Sequence, residues 1–150
     1  GFYRFNEGDD ELHVYPQSAM MAVHALAGRL TAEAAHLDRA EALFEAIAPA
    51  YRPEIGAYHD PYQGTGEDYV SLSTTSYLLL ALHLVARERP DARYDDAIDE
   101  LLAFIEARLW VPDEAIVYHH WEYEARADWY CTGCNFQLGY LLLLLGGEGG

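Results

Sequence analysis

The sequence contains no lysine, and its nine basic residues, all arginine, are outnumbered by 25 acidic residues. The net charge of −16 repels phosphate backbones and anionic lipid headgroups, so we expect no nucleic-acid partner and no binding to a membrane surface. The longest apolar run, residues 138–145, is far shorter than the roughly 20 residues that a membrane-spanning helix needs. We therefore expect no membrane span.

Cysteine is nearly absent as well. Cys131 and Cys134 are the only two, which excludes a disulfide framework and leaves the redox compartment and the cellular location undetermined. The composition is nevertheless that of a globular protein, with 51% hydrophobic and 13% aromatic residues. The length predicts a single domain over residues 1–150. The 12 tyrosines suit either a groove for a polar ligand or the edge of an ordinary core.

Two segments have an apolar stripe with helical spacing and a polar opposite face, which predicts one-sided helices. They are residues 31–51 and residues 91–110. We expect Thr31 to cap the first helix and Asp91 to cap the second. Three other segments, residues 16–28, 71–87 and 130–145, are apolar nearly all round. Helices of this kind are buried on every side. The alternation predicts an all-α protein in which an inner layer of helices is wrapped by an outer layer.

A long connection rich in aromatic and acidic residues precedes each inner segment and ends with an aromatic side chain. These side chains are Tyr15, Tyr69 and Trp129, at intervals of 54 and 60 residues. The connections from inner to outer segments are short. A near-constant period of this kind predicts about two and a half αα-hairpins. We expect the long connections to gather on one rim, and each to hold a short β-ribbon.

This pattern of period and polarity resembles the α/α-toroid group, which includes six-hairpin glycosidases, polysaccharide lyases and sugar 2-epimerases. The resemblance covers essentially the whole chain. It implies repeated αα-hairpins that form part of a toroid, with a carbohydrate-active site at the rim of long loops. Such toroids contain more hairpins than this chain. We therefore expect either a piece of a longer protein, with the N-terminal part of the toroid elsewhere, or an open array.

The loop before the second inner segment combines aromatic rings with acidic and basic groups, which is what a sugar site needs. We predict that Glu67 and Asp68 act as general acid or base, together with His59. The candidate substrate-stacking residues of this loop are Tyr58, Tyr62 and Tyr69. The alternative is that Asp68 only caps the following helix and Glu67 is solvated.

The loop before the third inner segment reads Tyr118-His119-His120-Trp121-Glu122-Tyr123-Glu124. In an extended chain, His120 and the two glutamates would share one face and could perform acid–base chemistry or bind a divalent metal. The candidate catalytic residues here are Glu122 and Asp128, and the candidate substrate-binding residues are His120, Trp121 and Trp129. The alternative is a ribbon with solvated charges and its aromatic face packed down.

Cys131 and Cys134 stand three residues apart at the start of the last inner segment. With His119 or His120 they could bind zinc; they could also be a redox pair, or small residues that let helices approach closely. We expect no cofactor, and keep a divalent metal as the less favoured alternative.

The function that these features predict is that of a glycoside hydrolase, lyase or epimerase with an oligosaccharide ligand. The alternative is a non-catalytic helical-repeat scaffold that binds a protein or a second copy of itself.

Overall fold

Helices make up most of the chain. The computed structural model describes Tyr3 and residues 13–60, 69–122 and 125–146. The helices are α1 (Val14–Thr31), α2 (Ala34–Ile47), α3 (Leu72–Glu88), α4 (Ala92–Phe104) and α5 (Thr132–Gly146). A 3-10 turn (Ala48–Ala50) extends α2, and a π-helical turn (Ile105–Leu109) extends α4. Three residues named above as candidates, Tyr62, Glu67 and Asp68, lie outside the described residues.

The helices form the two predicted layers. Helix α3 packs between α1 and α5, while α2 covers α1 and α4 covers α3. Leu78, Leu79 and Leu82 of α3 are fully buried, as expected for an inner helix that is apolar on all sides. Tyr94 is fully buried on the inner face of α4. The all-α class and the arrangement of repeated hairpins are confirmed.

The turn between α1 and α2 lies later in the chain than the sequence predicts. Helix α1 continues through Gly28, where the two helices are so close that a Cβ atom would lie 2.8 Å from the Leu37 side chain. The prediction that Thr31 caps α2 is wrong, because Thr31 is the last residue of α1 and its hydroxyl donates to the Ala27 carbonyl. Glu33 occupies the N-cap position of α2.

The second hairpin begins where the sequence predicts. The Asp91 carboxylate accepts a hydrogen bond from the backbone N–H of Arg93 and caps α4. In the turn just before it, Arg89 binds Asp38 and Glu41 of α2, each at 2.6 Å. These ion pairs connect the outer helix of the first hairpin to the turn of the second hairpin.

Short antiparallel strands occupy the described parts of the second and third long connections, which confirms the predicted ribbons there. One pair is β1 (Tyr51–Arg52) with β2 (Ala57–Tyr58), and another is β4 (Trp110–Val111) with β5 (Ile116–Val117). A three-stranded sheet contains β3 (Val70–Ser71), β6 (His120–Glu122) and β7 (Ala125–Arg126) in the order β3-β6-β7. In this sheet Val70 is paired with Trp121, and Ser71 with His120. The sheet therefore joins two long connections that lie about fifty residues apart in the sequence.

The N-termini of the inner helices lie at the same rim. Asp60 contacts His13, which precedes α1, and accepts a hydrogen bond from Thr74 in the first turn of α3. The backbone N–H of Leu72, at the start of α3, donates to the carbonyl of His119. The described parts of the long connections thus crowd together over the N-terminal ends of these helices, as the repeat pattern predicts.

Helix α5 has a broad exposed apolar face. Phe136 and Leu143 are 79% and 75% exposed, because no described helix covers α5 as α2 covers α1. Among the described residues, no helix is both long enough and apolar enough to cross a membrane.

Candidate functional site

Four side chains from two long connections meet at the rim, and we call them the rim cluster: Tyr69, His120, Glu122 and Trp129. The ring of His120 lies 5.0 Å from that of Tyr69 and 5.7 Å from that of Trp129, centroid to centroid. Its Nε2 atom is 3.8 Å from the Glu122 carboxylate. The cluster thus places an imidazole between two aromatic rings and beside an acid.

Strand pairing determines which side chains enter the rim cluster. His120 and Glu122 are two residues apart on β6, so they point to the same side of the strand. Trp121, between them, points away and packs under the Arg108 guanidinium at 4.8 Å. The backbone N–H of His119 donates to the Trp129 carbonyl, which fixes the segment before α5 against β6.

The two neighbouring histidines of this loop favour the neutral form. Burial lowers the pKa of His120, and the nearby carboxylates of Glu122 and Asp128 only partly oppose this effect. Burial also lowers the pKa of His119, and the adjacent His120 lowers it further. A neutral imidazole has an unprotonated nitrogen at neutral pH, so His120 is able to accept a proton from a ligand.

The two aromatic residues of the rim cluster differ in exposure. Trp129 is 49% exposed. His119 stacks on one face of its ring, with the two ring centroids 4.1 Å apart. Much of the remaining ring surface is open to a ligand. Tyr69 is buried, and burial is the main reason that its pKa is raised to about 12. Its phenol therefore stays protonated at neutral pH.

A buried polar network, formed by residues that are not among the predicted site residues, supports the rim cluster. Asp60 accepts a 2.7 Å hydrogen bond from the Thr74 hydroxyl, and Thr74 in turn accepts one from Ser71, the N-cap of α3. The backbone N–H of Asp60 donates to the carbonyl of Tyr69. One sequence signal could have revealed this network: residues 73–76 are four consecutive hydroxyl residues at the start of an otherwise apolar helix.

The structure brings together five of the predicted site residues. They are Tyr69, His120, Glu122, Asp128 and Trp129, with Asp128 close enough to His120 to affect its pKa. Tyr58 lies elsewhere: it is 8% exposed and packs against Tyr51 on the side of the outer helices. Tyr58 therefore lies outside the rim cluster, and its role as a stacking residue stays a prediction.

Two further predicted residues, Trp121 and His59, also lie outside the rim cluster. Trp121 faces the π-helical turn through Arg108, so it lies outside the rim cluster and its stacking role stays a prediction. His59 follows β2, and its backbone N–H donates to the carbonyl of Ala50 in the 3-10 turn after α2.

The predicted metal alternative involves His119 and His120, which are adjacent in the chain. The Nδ1 atoms of His119 and His120 are 3.2 Å apart. However, no group of three or more His, Cys, Asp or Glu side chains in the described ranges is arranged to hold a metal ion.

The lowered pKa values of His119 and His120 predict a loss of stability in mild acid. The unfolded chain binds protons at these residues near pH 6.5, whereas the folded protein binds them only at lower pH. The unfolded state therefore binds more protons in this window, and the free energy of unfolding falls as the pH falls from about 7.5 to about 5.5. Urea titrations at both pH values measure the effect. An equally steep pH dependence in a variant with both histidines changed to glutamine would refute this assignment.

Solved structures of sugar-acting enzymes share this fold, although no family model and no curated protein matches the chain. One is an inactive double Asp-to-Asn variant of the α-1,6-mannanase of Salegentibacter sp. HEL1_6 in complex with α-1,6-mannotriose. It has a TM-score of 0.72 and 12% identity, over 93% of this chain and 44% of that one. Another is a family 76 glycoside hydrolase from a bovine Bacteroides thetaiotaomicron strain, with a TM-score of 0.69 and 11% identity, over 90% and 31% of the two chains.

A D-mannose isomerase is also similar, with a TM-score of 0.73 and 15% identity, over 91% of this chain and 38% of that one. The chain therefore spans less than half the length of each of these three proteins. Identities this low establish the architecture alone. The chain has the fold of part of an α/α toroid, a fold that it shares with an α-1,6-mannanase, a family 76 glycoside hydrolase and a D-mannose isomerase.

Proposed function

We propose that the rim cluster is the sugar-binding and proton-transferring part of a carbohydrate-active site. The observation that carries the proposal is the position of His120, held neutral between Tyr69 and Trp129 and 3.8 Å from the Glu122 carboxylate. A sugar ring is apolar on its faces and polar at its edges. It therefore suits an exposed indole beside hydrogen-bonding groups.

The chemistry of this arrangement favours proton abstraction over hydrolysis. A neutral imidazole is an effective general base near neutral pH. An isomerase, an epimerase or a lyase needs such a base to remove a proton from a sugar carbon. Glycoside hydrolysis instead needs two carboxyl groups on opposite sides of the bond that breaks. Glu122 and Asp128 could serve in that role, and Glu67 and Asp68 stay candidates for it as well.

Replacement of Trp129 by alanine is expected to weaken sugar binding. Loss of the stacking surface should cost about 1.4 kcal/mol, which is roughly tenfold in affinity. Isothermal titration with α-1,6-mannotriose and with D-mannose measures this, because proteins that share the fold bind or act on those sugars. The matched control is Trp110→Ala, since Trp110 is also partly exposed, at 36%, but lies on β4 outside the rim cluster. Equal losses in both variants, or no binding by the unaltered chain, would contradict the proposal.

Self-association is a second candidate function, and the apolar face of α5 favours it. Phe136 and Leu143 are exposed there, and Leu30 is exposed at the far end of α1. Apolar surface of this kind is typical of protein interfaces, and a second copy of the chain would supply matching surface. We expect sedimentation velocity to show oligomers that dissociate when Phe136 and Leu143 are both changed to aspartate. A monomer at high concentration would exclude this function.

A further inference from the structure

Two cysteines contact each other at the N-terminus of α5, where the proposed sugar site makes no use of them. Cys131 immediately precedes the helix and Cys134 lies in its first turn. The Sγ atom of Cys131 accepts a 3.1 Å hydrogen bond from the backbone N–H of Cys134, as an N-cap side chain does. Both thiols are free in this structure. The two reduced thiols therefore belong to residues one helical turn apart, and the contact runs from the Cys134 backbone to the Cys131 sulfur.

The environments of the two thiols are unequal. Cys131 is partly exposed, whereas Cys134 is buried against the core. The side-chain hydrogen bond with Cys134 lowers the pKa of Cys131, and the backbone N–H groups of Gly133 and Cys134 act in the same direction. Burial raises the pKa of Cys134 to about 12. The accessible sulfur is thus the one that ionises, and the inaccessible sulfur stays protonated.

We propose that Cys131 and Cys134 form a thiol–disulfide exchange site that reacts with low-molecular-weight disulfides. The Cys131 thiolate attacks one sulfur of the small disulfide, forms a mixed disulfide and releases one small thiol. Cys134 then loses its proton and attacks the Cys131 sulfur, which forms the Cys131–Cys134 bond and releases a second small thiol. The cysteine pair loses two electrons and two protons, and the small disulfide gains them.

The local geometry suits both steps. Residues three apart at the start of a helix are neighbours on one face. A disulfide spans Cα separations of roughly 4.4–6.8 Å, which includes neighbours of this kind. The exposed position of Cys131 admits the small disulfide, while the buried position of Cys134 protects it from direct attack. Cys134 is already in contact with Cys131, so the second step needs little movement. This inference does not depend on the proposed sugar chemistry.

The first test uses the unaltered chain. The folded protein is equilibrated with oxidised and reduced glutathione, and its free thiols are then blocked with iodoacetamide and located by peptide mass mapping. We expect an intramolecular disulfide at a high ratio of oxidised to reduced glutathione, and two free thiols at a low ratio. In the reduced folded protein, Cys131 should be alkylated at least about tenfold faster than Cys134, and the difference should vanish in urea. Equal rates in the folded protein, or thiols that stay reduced at every ratio, would overturn the proposal.

Two matched variants separate the roles of the thiols. In Cys134→Ser the second step is removed, so a stable mixed disulfide with glutathione should accumulate at Cys131. In Cys131→Ser the buried Cys134 should react with oxidised glutathione at least about tenfold more slowly than Cys131 does in Cys134→Ser. Circular dichroism checks that both variants are folded; the mapping of the unaltered chain stays decisive if either is not. A mixed disulfide that forms equally fast in both folded variants would also overturn the proposal.

Discussion

Replacement of His120 by glutamine is expected to lower sugar turnover by roughly 10²–10⁴-fold, the usual contribution of a general acid or base. Glutamine keeps a hydrogen-bonding group of similar size beside Tyr69 and Glu122, so the loss would reflect the missing proton acceptor. The assay incubates the protein with D-mannose in deuterium oxide and measures deuterium at the carbon next to the carbonyl. Release of sugar from α-1,6-mannotriose is measured in parallel, because that reaction would indicate hydrolysis instead.

The pH profile and a second histidine provide the controls for this experiment. Because the pKa of His120 is lowered, activity should persist to below about pH 6.5 before protonation of the imidazole removes it. His83 lies on α3, and its replacement by glutamine should leave turnover unchanged. If His120→Gln retains full activity while folded, His120 is not the base.

Replacement of Leu79 by alanine is expected to destabilise the fold by about 2–5 kcal/mol. Leu79 is fully buried in α3, the helix that contacts α1, α4 and α5. Removal of its side chain would leave a cavity between the inner and outer layers. The neighbouring helices could fill this cavity only in part, because their other contacts hold them in place. Urea unfolding followed by circular dichroism measures the loss of free energy.

Leu30 offers a control of the same residue type on another inner helix. It is 83% exposed near the end of α1, so Leu30→Ala should change the free energy of unfolding by no more than about 0.5 kcal/mol. Similar losses in the two variants would mean that α3 is not the centre of the core. A large loss for Leu30 alone would instead indicate that the end of α1 is covered in solution.

Much of the architecture could be predicted from residue patterns. Helices that are apolar all round alternate with helices that have one polar face, and this difference distinguishes inner from outer positions before any contact is known. The Asp91 cap is predictable because capping depends on residues adjacent in sequence. Thr31 was misassigned because the turn after α1 depends on how closely α1 and α2 approach at Gly28. That approach is a tertiary contact.

The members of the site were harder to predict than the fold. Tyr58 and Tyr69 come from the same connection and have the same side chain, yet only Tyr69 joins the rim cluster. The pairing of β3 with β6 separates them, because it places Tyr69 beside His120 while the β1–β2 pair packs Tyr58 against Tyr51. Neither pairing is encoded in the local composition of the loop.

The amino-acid sequence alone determined that this protein is helical, that its helices form two layers, and that its long connections meet at one rim. These features follow from hydrophobic periodicity, which can be read within a few turns of each helix. The tertiary structure decided which polar groups face each other there. Asp60 meets His13 and Thr74, and His120 meets Tyr69, across separations of 14 to 51 residues. Contacts of that range arise only once the hairpins have packed, since strand register and helix approach together orient each side chain.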